Sequence, residues 1–531
     1  MKKYIYQLIC IIGMIGMSSC FSDDSKQGTP IGEINVTGIE ESYLSTSYVG
    51  EILKISPVVT SGYTDSELEY TWTLLNSKTG TKDENGNQIE PEIIGRGKDL
   101  DFEVNVAPGT YQIRYEVKVT HNSYTVLSKT DLFVVTEFSQ GFYVMKETES
   151  GDTDLDLLAS SGAFSENLIA QTQGESLKGK PYCLNPLYGH YYVNPETDQM
   201  EATNMIAVST EAKEINIFRS SDLMKVFDRS NLLYDDMEPD EQPVSIYRVG
   251  MMGMNMAYLS SNGVRYTGAE SMYGSPCVGK YGFSLDESVG ISCYAFSNIT
   301  AHGGMFCWDN KNHSLIYLDY NLTTYPLLDM FWEGYEITQN LYDYECIGAG
   351  MNIASGTLAN FVLENQTSRE RYLYLATDDG FMNMYFDRRI KISPDSHMGK
   401  SDVFATNGLT ANYIYCIDEN KLWACNTNSD ELGEQEVALS GISSNETLTY
   451  VSNQYWNANF ASSNNYDYLI VGTQEGANYH LYMYNMIGGM PDGEPIQKIT
   501  GTGKVKSVRF LSSNFSDYDL MFGYKVYPEI D

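Results

Sequence analysis

A unit of two apolar strands joined by a short polar turn recurs along most of this chain and limits its fold more than any other feature. Its copies are MIAVSTEAKEINIF (205–218), MAYLSSNGVRYTG (256–268), MFCWDNKNHSLIYLD (305–319), YLYLATDDGFMNMYFD (372–387), YIYCIDENKLWAC (413–425), YLIVGTQEGANYHLYMYN (468–485) and SVRFLSSNFSDYDLMFGY (507–524). An earlier hairpin, GFYVMKETESGDTDLDLL (141–158), has the same form. Hairpins that repeat every 40–50 residues or so are typical of a β-propeller, whose radial closure protects the sheet edges. The repeats therefore predict an all-β propeller over residues 139–531, with seven blades preferred, eight as the alternative, and two stacked sandwiches as the competing architecture.

A different pattern precedes the repeats. After the turn at Pro108-Gly109, apolar residues alternate with polar ones along a predicted strand; the apolar set is Tyr111, Ile113, Tyr115, Val117 and Val119. One apolar and one polar face is the pattern of an antiparallel strand with one side against a core. The segment LEYTWTLL (68–75) is a second strand, in which Trp72 is the candidate for the buried aromatic of a sandwich. Residues 34–138 are thus predicted to form an immunoglobulin-like β-sandwich.

The first residues are typical of an export signal. Lys2 and Lys3 precede an apolar run from Leu8 to Met17, and small residues follow before Cys20. Such a run is too short for a membrane-spanning helix, which needs about 20 apolar residues. A basic start, a short apolar core and small residues before a cleavage site indicate a signal peptide over residues 1–19. Residues 20–33, rich in Ser, Asp, Gly and Pro, are then a flexible tether.

Several of these motifs resemble those of one family. The sequence Met17-Ser-Ser-Cys20 resembles the lipobox of bacterial lipoproteins, and the acidic run after Cys20 resembles the surface-export signal of Bacteroidetes lipoproteins. LEYTWTLL and PGTYQIRYEVKVT (108–120) resemble strands of PKD-like lipoproteins of the same bacteria, although the Gly-Asp-Gly turn usual after the tryptophan is absent. The resemblance implies acylation of Cys20, an outer-membrane location facing the cell exterior, and a PKD-like spacer domain.

The formal net charge of −36 excludes two classes of partner. So acidic a surface repels nucleic acid and anionic lipid headgroups. It is compatible with binding of cations such as calcium. In the segment GDTDLD, alternation along a strand would place Asp152, Asp154 and Asp156 on one face, where they are the candidate calcium ligands. The alternative is a solvated strand face without a metal.

Catalytic motifs are missing from the sequence. It contains no HExxH or GxSxG, and its six histidines are scattered rather than paired at a metal-ligand spacing. We therefore expect a non-catalytic protein without a cofactor, with a polysaccharide lyase or hydrolase on the same scaffold as one alternative. Aromatic residues near predicted blade turns, namely Trp332, Tyr335 and Trp456, are candidate ligand contacts.

Lipoproteins of this kind accompany SusC/SusD-type uptake systems of Bacteroidetes. The resemblance therefore implies that the protein binds a nutrient, glycan or oligopeptide, and passes it to such a transporter. The remaining alternative is a purely structural subunit of the transporter complex.

Overall fold

A computed structural model of the chain describes residues 33–46, 52–76, 91–106, 109–195, 198–249, 255–266, 279–282, 284–298, 304–319, 322–332, 335–337, 340–352, 359–378, 383–408, 410–458, 466–511 and 525–526. The chain divides after Val134 into two compact units. Within the described residues, no helix combines the length and the apolar character needed to cross a membrane.

The first unit is built almost entirely of strands. They are β1 (Ile34–Thr37), β2 (Ser42–Thr46), β3 (Ile52–Ile55), β4 (Val58–Ser61), β5 (Leu68–Asn76), β6 (Glu92–Gly95), β7 (Leu100–Glu103), β8 (Gly109–Val119) and β9 (Thr125–Val135), with one 3-10 turn at Asp65–Glu67 before β5. One sheet has the order β2-β9-β8-β5-β6, and the antiparallel pairs β1-β4 and β3-β7 complete the unit. This arrangement is the predicted β-sandwich.

The core of the sandwich lies between these sheets. The five apolar residues predicted to share one face of β8 are all buried, and they pack with buried residues of β1, β3 and β7. Trp72 is fully buried, stacks on Tyr115 at a ring-centroid distance of 4.1 Å, and donates from Nε1 to the carbonyl oxygen of Gly97 at 2.9 Å. The predictions for β8 and for Trp72 are therefore confirmed.

Within its described residues, the second unit contains six four-stranded antiparallel sheets and one six-stranded sheet, which make up seven blades, besides a small two-stranded hairpin. Blades II to IV are formed in chain order by β13 (Pro181–Asn194), β14 (Gln199–Thr210), β15 (Ile215–Arg219) and β16 (Lys225–Asp228); by β17 (Pro243–Val249), β18 (Asn255–Ser260), β19 (Gly263–Tyr266) and β20 (Ser284–Asp286); and by β21 (Ile291–Asn298), β22 (Gly304–Asp309), β23 (Ser314–Leu318) and β24 (Thr324–Pro326). The small hairpin of β25 (Met330–Trp332) and β26 (Tyr335–Ile337) follows blade IV.

The remaining blades follow the same plan. Blades V and VI are formed by β27 (Tyr344–Gly350), β28 (Ala359–Asn365), β29 (Arg371–Asp378) and β30 (Met384–Ile392), and by β31 (Phe404–Thr406), β32 (Tyr413–Asp418), β33 (Lys421–Asn426) and β34 (Glu434–Glu436). Blade VII contains β35 (Thr447–Ala458), β36 (Tyr466–Glu475), β37 (Asn478–Ile487) and β39 (Gln497–Thr502), with the short strands β38 (Met490–Pro491) and β41 (Lys525–Val526) paired to β37 and β35.

Blade I joins the two ends of the second unit. Its strands β10 (Gly141–Glu147), β11 (Thr153–Ala159) and β12 (Phe164–Ser165) come from the start of the unit, whereas β40 (Lys504–Leu511) comes from its end and pairs with β10. The first strands of blades II to VII and β40 contact one another in cyclic order, so they form the inner ring. The unit is therefore a seven-bladed β-propeller closed by its C-terminal strand, as the repeats predict.

The antiparallel order places the chain connections at two ends of the propeller. The connections between blades and the turns between each blade's second and third strands lie at one end, which we call the crossover end. Helix α1 (Leu168–Gln173) lies in the connection from blade I to blade II, and α2 (His397–Lys400) in that from blade V to blade VI. The crossover end therefore carries both helices.

Candidate functional site

A cavity of about 450 Å³ opens at the crossover end where blades VII, I and II meet, and we call it the seam cavity. Its lining residues are Glu147, Lys180, Pro181, Glu211, Thr449, Gln474, Lys504, Val505 and Lys506. Ligand pockets commonly have volumes of about 300–1,000 Å³ and a few converging polar groups. The seam cavity meets both conditions, and it lies beside the inner ring of strands.

The local backbone directs two lysines into this cavity. The register between β10 and β40 shifts between Met145 and Lys146, which leaves Lys506 as the extra residue of a β-bulge. Val505 packs against the apolar cluster shared with blade VII, and the exposed side chains of Lys504 and Lys506 line the seam cavity beside it. Bulges re-aim side chains and are frequent beside functional sites.

The cavity is basic in a strongly acidic protein. Three lysines line it against two glutamates, whereas the whole chain has 34 basic and 70 acidic residues. Lys180 lies 3.6 Å from Glu147, but Lys504 and Lys506 form no ion pair with any described residue. Unpaired ammonium groups in a recess attract carboxylates and other anions. The site therefore favours a ligand that carries an anionic group.

A tyrosine of the inner ring links two blades that are not neighbours. The backbone N–H of Cys293 in blade IV donates to the Tyr182 hydroxyl of blade II at 3.2 Å, although blade III lies between them in the ring. Burial raises the pKa of the Cys293 thiol, and the positive charge of Lys506 opposes that shift. Tyr182 directly follows Pro181, which lines the seam cavity.

The predicted calcium ligands lie behind the cavity and have other partners. Asp154 accepts hydrogen bonds from the N–H groups of Ile169 and Ala170 and thereby caps α1. Asp156 forms an ion pair with Lys146 at 2.7 Å, accepts from the Tyr479 hydroxyl at 2.6 Å, and has its pKa raised by burial. Asp152 binds Lys178 and the N–H of Gly179.

These contacts describe structural rather than ligand-binding groups. Asp154 and Asp156 are fully buried, because every residue of β11 is buried, so the alternative of a solvated strand face is wrong for both. The three carboxylates also fail to converge within metal-ligand distance of one another, among the groups that the structure describes. The calcium hypothesis for this trio gains no support from the geometry.

The described residues do bring together one other set of potential metal ligands, namely Glu446, Glu475 and His480. Glu446 is buried and accepts from the Tyr482 hydroxyl at 2.7 Å and from Thr473, while Lys498 lies 3.6 Å away. The ring of His480 is held by Thr500 at 2.7 Å. The Lys498 ammonium and the hydroxyl groups of Tyr482 and Thr473 already contact the buried Glu446 carboxylate. We therefore describe this cluster as a hydrogen-bonded network.

We expect this network to make stability depend on pH. Burial acts to raise the pKa of Glu446, but hydrogen bonds from Thr473 and Tyr482 and the nearby charges together place it below its usual 4.5. The stabilisation is therefore complete above pH 4.5 and is lost as the pH falls through the lower folded-state value. Glu446→Gln should lower the free energy of unfolding by about 1–2 kcal/mol at pH 7. Urea titrations should show this difference shrinking towards pH 3; a pH-independent difference would contradict the assignment.

The predicted aromatic contacts belong to two separate elements. Trp332 and Tyr335 oppose each other in the β25–β26 hairpin, which contacts β30 of blade V, whereas Trp456 belongs to the inner strand of blade VII. The side chains of all three lie outside the described residues, as does the predicted acylation site Cys20. Their roles stay predictions.

Comparison with known proteins identifies the N-terminal part of the chain. Residues 20–181 match the model of the PKD-like family. The PKD-like match covers less than a third of the chain and extends past the sandwich to the beginning of blade II. No match is found among curated protein sequences.

Solved structures with a similar arrangement are distant in sequence. A quinonprotein alcohol dehydrogenase-like protein from Bacteroides thetaiotaomicron VPI-5482 is 12% identical with a TM-score of 0.35, covering 91% of this chain and 100% of its own. A DUF4784 family protein from Bacteroides caccae ATCC 43185 is 11% identical with a TM-score of 0.29, covering 77% and 96%. BamB from Moraxella catarrhalis is 9% identical with a TM-score of 0.28, covering 72% and 90%.

Sequence reasoning missed the lysines of the seam cavity. The available signal was the pair in Lys504-Val505-Lys506, two cations with no acidic neighbour in GTGKVKSVRF, within an acidic chain. Its significance depends on the bulge in β40 and on the blades that meet there, which no local pattern specifies.

Proposed function

We propose that this protein is a non-catalytic, surface-anchored binding protein that captures a nutrient in the seam cavity. The nutrient is a glycan or an oligopeptide that carries a carboxylate. In this proposal Cys20 carries the lipid anchor at the outer membrane, the sandwich is a spacer, and the propeller passes its ligand to a SusC/SusD-type transporter. The supporting observation is the recess with two lysines that lack an ion-pair partner among the described residues. The Cys20 motif and the PKD-like match support the surface location.

The charge of the cavity offers a direct test. We expect Lys506→Glu, and likewise Lys504→Glu, to weaken binding of acidic oligosaccharides or free oligopeptides about tenfold, because an attraction becomes a repulsion. Isothermal titration calorimetry with acidic and neutral panels should measure this loss at low salt, where screening is weak.

A matched substitution controls for the change in net charge. Lys400→Glu alters an exposed lysine at the end of α2, which does not line the seam cavity, and it should leave affinity unchanged. Equal affinity of Lys506→Glu and the native protein would contradict the proposed site. Release of shortened oligosaccharides would favour a lyase or hydrolase. If a transporter were recovered with the protein from membranes while neither ligand panel bound, a structural subunit would be favoured.

A further inference from the structure

A second cavity of about 300 Å³ adjoins the seam cavity on its outer side. It is lined by Thr148, Glu149, Asn167, Thr502 and Gly503. Glu147 and Lys504 line the seam cavity and pair across β10 and β40, while the next residues, Thr148 and Gly503, line the outer cavity. The two cavities therefore lie next to each other at the junction of blades VII and I, and we call them together the seam groove.

The connection between blades VII and I does not cover this groove. Gly503 alone connects β39 at the outside of blade VII with β40 in the inner ring, and its φ of +100° favours glycine. A Cβ atom at this position would lie 2.5 Å from the carbonyl oxygen of Glu147, so the connection passes against β10. A connection this short adds no loop above the groove.

Opposite charges occupy the two ends of the groove. Lys504 and Lys506 lie at the inner end, and Glu149 lies at the outer end; none of the three forms an ion pair with a described residue. Glu149 is two residues beyond Glu147 in the chain, in the turn that follows β10. Asn167 lines the outer cavity together with Glu149, and its side-chain amide makes no hydrogen bond within the described residues.

We infer that the seam groove binds a short peptide with free ends, its C-terminal carboxylate at Lys504 and Lys506 and its N-terminal ammonium at Glu149. A zwitterionic chain matches both ends, whereas an acidic glycan matches only the lysines. The Asn167 amide offers one donor and one acceptor, which are what a peptide group requires. At about 3.3–3.6 Å per residue, an extended peptide of two to four residues spans roughly 7–14 Å. This inference rests on the proposed function and narrows its ligand.

Capped peptides test both ends separately. Isothermal titration calorimetry would measure the affinity of the intact protein for free tetra-alanine, for its C-terminal amide and for its N-acetyl form. We expect each cap to weaken binding about tenfold, since each removes one charge-assisted contact. The effect of the amide should disappear in the double variant Lys504→Gln/Lys506→Gln, and that of the acetyl group in Glu149→Gln. Unchanged thermal unfolding of these surface variants would establish that they fold.

Each other outcome has a defined meaning. Capped and free peptides that bind equally would overturn the inference. Lysine-dependent binding of a uronate oligosaccharide with no binding of tetra-alanine would also overturn it, while leaving the proposed function in place. Absence of binding by both probes would overturn the inference and the proposed function together.

Discussion

Asp156→Ala is expected to destabilise the propeller by about 3–5 kcal/mol, because it removes the nearer and fully buried carboxylate partner of the Lys146 ammonium and leaves only Glu166 at 3.7 Å. The two side chains are no more than 1% exposed and lie 2.7 Å apart. Asp156 also accepts from Tyr479 of blade VII, so the substitution removes a link between the last and the first blade. Urea denaturation at pH 7, followed by circular dichroism, would measure the loss.

Two matched variants define what the loss means. Asp152→Ala, two residues away, removes an ion pair with the largely exposed Lys178 and should cost less than about 1 kcal/mol. The double substitution Lys146→Met/Asp156→Leu removes both charges and should recover most of the stability, because the penalty comes from the unpaired ion. Equal stability of the Asp156→Ala protein and the native protein would exclude this role for the pair.

Ending the chain after Gly503 is expected to abolish cooperative folding of the second unit. This truncation removes β40, which supplies the inner strand of blade I and the buried residues Val508 and Leu511. It leaves β10 as an open edge, and open edges promote aggregation. Size-exclusion chromatography and thermal circular dichroism should show aggregated protein without a sharp transition from this unit.

Ending the chain after Leu511 provides the control. It keeps β40 and removes only the two-residue strand β41 among the described elements, so a monomer with a cooperative transition is expected. If truncation after Gly503 left an equally cooperative monomer, closure by β40 would not be required for the fold.

The sequence predicted the propeller because apolar hairpins recur along it at a blade-length interval. It did not show which strands of a blade each of these hairpins contains. Seven of the eight quoted segments coincide with hairpins, most of them the second and third strands of a blade, such as β14 with β15. The segment at 372–387 instead spans β29 and β30, the third and fourth strands of blade V, which explains its irregular spacing. Of the last segment, the structure describes only the part within β40, which completes blade I rather than starting another blade.

The candidate site could be predicted far less well. Alternation placed Asp154 and Asp156 correctly on a strand, whereas Asp152 immediately precedes β11, and both faces of β11 are covered by neighbouring elements that no local pattern shows. Partners such as Tyr479 are more than 300 residues away in the sequence. The seam cavity likewise combines residues from blades I, II and VII, which become neighbours only when the ring closes.

The tyrosine that links blades II and IV has a consequence for how movement spreads through the ring. Because the Tyr182 hydroxyl accepts a hydrogen bond from the backbone N–H of Cys293, the inner strands of these two blades are joined past blade III. A displacement of either inner strand would therefore pull directly on the other.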